Sequence, residues 1–134
     1  MKGRYRVLVV LNREYGARLA DLAQTGPVWI VDTPPNRGVA ESIWAAAPGR
    51  SHLGGVTTFK FAPESSDQDI LISQLNTIDL HHGEYSSDPP YTILEIIGTH
   101  LTSRLKAELS EFGFHEFEET SDGFRALRPL PSND

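Results

Sequence analysis

Apolar residues open the chain as a tight block, Val7-Leu8-Val9-Val10-Leu11, and recur as Val28-Trp29-Ile30-Val31, each block enclosed by polar or turn-forming residues. Short runs rich in β-branched residues suit strands covered on both faces. Between them Tyr15, Leu19, Leu22 and Ala23 return at helical spacing, with Asn12 placed to cap the start and Gly26-Pro27 to stop the end. This is a β-α-β unit, whose crossover is expected to be right-handed and to leave its two strands parallel.

A second helix opens in Thr33-Pro34-Pro35-Asn36, with either Thr33 as cap and Pro34 as first helical residue, or Asn36 as cap. Its apolar face is Val39, Ala40, Ile43, Trp44 and Ala47, and Pro48-Gly49 ends it. After Gly54-Gly55 the run Val56 to Phe61 reads as a strand near a sheet edge, with Thr57, Phe59 and Phe61 on one side and Lys60 on the other. Ser66-Asp67-Gln68-Asp69 resembles a capping box, and the stripe Leu71, Leu75, Ile78 and His82 predicts a helix over 67–82. The segment from Glu84 to Pro90 reads as a loop with hinge character, and Tyr91 to Ile97 as a strand.

Leu101, Leu105, Leu109 and Phe112 predict a helix from Thr99 to Phe112, with Gly113-Phe114 forming a Schellman stop. Phe114 to Thr120 and Phe124 to Arg128 then flank Ser121-Asp122-Gly123, whose Asp-Gly pair is expected to supply a positive φ for a tight hairpin. Arg125 is placed to pair with Glu118 or Glu119 across that hairpin. The order β-α-β-α-β-α-β-α-β-β predicts one α/β domain over 1–128, three-layered and mostly parallel with a C-terminal antiparallel hairpin, followed by a flexible tail over 129–134. The competing arrangement makes the final β-α-β a ferredoxin-like half with its helices on one face.

Composition narrows the class. The 134 residues suffice for one core, and no apolar run approaches the roughly 18 residues of a membrane span. The start shows no export signal, so the expected location is the cytoplasm. The absence of cysteine excludes disulfides, thiolate metal sites and thiol nucleophiles. A net charge of -6 argues against non-specific nucleic-acid binding. Residues 1–60 carry eight bases and four acids, whereas the remainder carries four bases and 14 acids. That asymmetry reads either as a basic patch for an anionic ligand opposite an acidic face for a partner, or as scattered solvated charge.

Ligands of parallel sheets bind beyond the carboxyl ends of the strands, where the strand order reverses. The candidate ligand-binding residues are therefore Asn12 and Arg13 after strand one, Asp32, Asn36 and Arg37 after strand two, and Thr99 and His100 after strand four. Thr33, the stretch from Glu64 to Ser66, and Gly98 share that rim. Arg13 and Arg37 suit an anion, and Asp32 with His100 an acid-base pair. Asn12, Thr33, Asn36, Ser66 and Thr99 are equally the residues that cap helices. Asp32, at the end of a buried strand, needs a partner or water, and His100 and Arg13 are the ones within reach of the argument.

His81-His82-Gly83-Glu84 gives a weaker metal reading, because adjacent helical side chains diverge by about 100° and cannot share one ion without unwinding. Cations complementing a helix C-terminus account for the pair more simply. No metal and no cofactor is therefore expected. Glu95 interrupts an apolar strand; it is expected near an edge, facing solvent, with a pair to Lys60 as the alternative.

Neither G-x-G-x-x-G nor a P-loop follows strand one, and the chain holds no G-x-S-x-G elbow and no H-E-x-x-H. The doubly wound outline invites comparison with response-regulator receivers, but Asn12-Arg13 and Ala62-Pro63 stand where that family's acidic residues belong. The favoured expectation is a non-enzymatic regulatory or protein-interaction domain, with a protein partner or a homo-oligomer formed through strand three or the hairpin. The alternative is a binding protein or enzyme for a small anionic ligand, a nucleotide or sugar phosphate. Neither nucleic acid nor membrane is expected as a partner.

Overall fold

The computed structural model describes residues 6–23, 27–46, 56–85 and 93–128. The elements follow in the expected order: β1 (Arg6–Val10), α1 (Gly16–Ala23), β2 (Val28–Val31), α2 (Pro34–Ala46), β3 (Val56–Phe59), α3 (Asp67–Tyr85), β4 (Ile93–Ile97), α4 (Ser103–Glu111), β5 (Glu116–Thr120) and β6 (Gly123–Leu127). All six strands join one sheet in the order β3-β2-β1-β4-β6-β5. The first four are mutually parallel, and β6 runs antiparallel to both β4 and β5.

Alternation along the strands divides the core into two layers. Val7 and Val9 of β1, Trp29 and Val31 of β2, Leu94 and Ile96 of β4, and Phe124 and Ala126 of β6 pack with Leu71, Leu75 and Ile78 of α3 and Leu105 and Leu109 of α4. Leu8, Val10, Val28, Ile30, Val56 and Ile97 face the other way, against Leu19 of α1 and Ala40 of α2. Strands buried on both faces need this double cover, which is why β1 and β2 carry unbroken apolar runs. The helices thus lie on both sides of the sheet, and the one-sided ferredoxin-like alternative is excluded.

Several boundaries differ from the sequence reading for identifiable reasons. Asn12 does not cap α1, which begins only at Gly16; the amide of Tyr15, just before it, donates instead to Asn36 Oδ1 at 2.9 Å. Thr33, not Asn36, caps α2, accepting from the Asn36 amide at 3.4 Å with Pro34 as the first helical residue. Thr102, not Thr99, caps α4, taking the Leu105 amide at 3.1 Å. Ser66 does cap α3, through the Asp69 amide at 3.2 Å, and that helix runs to Tyr85.

The Schellman stop forms as expected: the Phe114 amide donates to Leu109 O at 3.2 Å and the Gly113 amide to Ser110 O at 3.0 Å. The hairpin turn contains no positive φ; Ser121-Asp122 make the turn, and Gly123 is the first residue of β6. Gly123 serves close approach instead, since a Cβ there would stand 1.8 Å from Ile96 O. The expected face of α2 is present in Val39, Ala40 and Ile43; of the loop expected over 84–90 the first two residues instead end α3, and residues 86–90, the side chain of Trp44, Ala47 and residues 129–134 lie outside the described residues. No described helix is long and apolar enough to cross a membrane.

Candidate functional site at the carboxyl rim of the sheet

The chain steps outward from β1 to β2 to β3 and then returns to the opposite side of β1 for β4, so the strand order reverses between β1 and β4. Two loops meet at that point. The Leu11 amide donates to Ile97 O at 2.8 Å, and Gly98, with φ of 107°, brings its backbone against Asn12. A Cβ on Gly98 would stand 2.9 Å from Asn12 Oδ1 and 3.1 Å from the Asn12 amide. The two loops are therefore in close backbone contact there.

Asn36 is the polar hub beneath the rim. It is fully buried, and its side chain accepts from the Tyr15 amide and donates to Asn12 O at 2.9 Å and to Val31 O at 3.2 Å. Thr33 adds a second tie, its hydroxyl donating to Arg13 O at 2.6 Å while accepting the Asn36 amide. These bonds satisfy backbone groups that the turn after β1 leaves without ladder partners, and they bind that turn to the end of β2. Both side chains thereby tie these loops together.

Three of the charged candidates, Arg13, Asp32 and Arg37, stand in ion pairs. Asp32 does not meet His100 or Arg13; it accepts from Arg37 Nε at 2.8 Å, with Lys60 Nζ 3.6 Å away. Its side chain exposes 11% of its surface. The hydrogen bond from Arg37, reinforced by the two positive charges, holds the Asp32 carboxyl below its ordinary range despite the opposing effect of burial, and Asp32 in turn raises Arg37. Arg13 donates to Leu11 O at 2.7 Å and to Asp67 Oδ1 at 3.0 Å, and its guanidinium stacks over Phe61 with 4.7 Å to the ring centroid. Lys60 is thus a partner of Asp32 and not of Glu95, since β3 and β4 are separated by two strands.

The rim continues along the first turns of α3 and α4, in residues the sequence reading did not pair. Asp69 accepts from Arg104 at 2.6 Å, and that bond, with a further one from Ser66, lowers the Asp69 carboxyl. Thr102 donates to Gln68. The capping pattern of Ser66 to Asp69 is visible locally, but nothing near it in sequence announces Arg104. Among the seven candidates, then, Asn12, Arg13 and Asn36 belong to one network and Asp32 and Arg37 to a neighbouring pair, while exposed His100 and half-buried Thr99 join neither.

Glu95 lies on a central strand, not near an edge, and keeps 18% of its side chain exposed while accepting from Arg6 at 2.9 Å. Arg125 pairs with Glu118 at 2.9 Å, as expected from the hairpin register. Among the described residues no three His, Asp or Glu side chains gather as a metal site. The side chains of His81, His82 and Glu84 lie outside the described residues. Comparison with protein-family models, with curated proteins and with solved structures found nothing that matches this chain.

Proposed function

We propose that the chain is a non-enzymatic regulatory or protein-interaction domain. The observation that carries this reading is the internal neutralisation of the rim: Arg13 with Asp67, Arg37 and Lys60 with Asp32, and Arg104 with Asp69. An anion entering there would compete with carboxylates already in place, and a general base would need Asp32 released from two cations. Among the described residues His100 forms no ion pair, and a lone imidazole lacks the second group that acid-base work requires. The sheet, by contrast, ends in a strand, β5, whose outer side meets no other described strand.

A thermal-shift series against nucleotides, sugar phosphates, nicotinamide compounds and divalent metals tests this reading. A ligand that binds only the folded state raises Tm by mass action, by the equivalent of about 2.7 kcal/mol at a hundredfold excess over Kd. The expected result is no saturable rise. A saturable rise with one class, lost in Asp32→Asn or Arg13→Ala, would establish the small-ligand alternative.

A further inference from the structure

We propose that the outer edge of β5 is a strand-addition site for an extended, basic segment of a partner protein; this rests on the interaction-domain reading and names its partner class. β5 is the terminal strand of the sheet, five residues long, without proline. Its inner side is held by β6 through the whole register from Glu116↔Leu127 to Thr120↔Gly123. Phe117 is half-buried against the core that also holds Leu105 and Leu109 of α4, which anchors the strand from its inner side.

The side chains flanking that row are acidic on both faces. Glu116 and Glu118 share one face, and Glu119 stands on the other, with Phe117; all three carboxylates are exposed. Glu118 is engaged by Arg125, whereas Glu116 and Glu119 form no ion pair among the described residues. Like charges directly opposite one another destabilise a strand pair, so a second copy of β5 is disfavoured. A strand bearing Lys or Arg opposite both Glu116 and Glu119, three residues apart and so on opposite faces, gains an opposite-charge cross-strand pair at each of them, in addition to the backbone ladder. The other edge strand, β3, offers only Val56-Thr57-Thr58-Phe59 and no charge to select a partner.

The test is fluorescence anisotropy of the whole chain with a labelled ten-residue Val/Thr peptide that carries Lys at every third position, so that Lys falls on both faces at the spacing of Glu116 and Glu119. Two control peptides carry Glu for Lys, or N-methyl groups on alternate backbone amides. Saturable binding of the Lys peptide is expected, weakened by salt and lost in both controls, with new amide-exchange protection confined to β5. Glu116→Gln/Glu119→Gln should weaken it about fivefold, as two exposed pairs of a few tenths to 1 kcal/mol imply. Equal binding of the N-methylated peptide, or protection elsewhere, would overturn the strand-addition site while leaving the domain an interaction module. Concentration-dependent pairing of β5 with itself would overturn the basic-partner assignment in the same way. A positive small-ligand screen with no peptide binding would instead overturn the underlying reading.

Discussion

Asn36 shows how much a single residue at the rim is asked to do and how little of that is visible in sequence. Its position after Pro34-Pro35 suggests a helix cap, yet its side chain is buried and bonded to the Tyr15 amide, Asn12 O and Val31 O. A buried polar group left without a partner costs about 1–3 kcal/mol, so Asn36→Ala is expected to lose at least about 2 kcal/mol in urea unfolding. Asp32 was legible as a residue in need of a partner, but its partners were not, because Arg37 lies on the following helix and Lys60 beyond the next strand. Its carboxyl is lowered in the folded chain, so the Asp32 contribution is fully present above about pH 4, the unfolded value, and fades as pH falls through the folded one. Asp32→Asn should therefore lower the urea midpoint at neutral pH and approach the native protein at acid pH. A constant gap across the titration would show that the side chain acts through packing alone.

At the scale of elements, periodicity and turn chemistry located every strand and helix, since each depends on residues close in sequence. The misplaced details depend on distant ones. α1 starts late because Asn36 takes over the amide that a local cap would have served, and Glu95 is central because the order of strands is set by α3 crossing beneath the sheet. The hairpin gives the sharpest case. Asp122-Gly123 reads as a positive-φ turn, but Gly123 is required by the backbone of β4, where its missing Cβ leaves room for Ile96 O. Gly123→Ala must push β6 away from β4 and is expected to cost about 3 kcal/mol, with greater amide exchange in β5 and β6 than in β1. An unchanged stability would mean the hairpin does not dock as described.

For the whole molecule, the uneven charge along the chain is partly cancelled by folding: Arg6 and Arg13 from residues 1–60 meet Glu95 and Asp67 from the remainder. Alternating strands and helices made the three-layer class legible, but the order of strands and the closing of the rim arise only when distant segments meet. Glu116 and Glu119, which form no ion pair among the described residues, stand on β5, at the far edge from β3. Contact with other proteins is therefore proposed at that edge and not at the rim. Photo-crosslinking in the cells that make the protein separates the two directly, with p-benzoylphenylalanine introduced in turn at Thr120 on β5 and at His100 on the rim, both in an otherwise native chain. The expected result is a discrete protein adduct from position 120 that is diminished by Glu116→Gln/Glu119→Gln, and none from position 100. Adducts from position 100 alone would contradict it and return function to the rim.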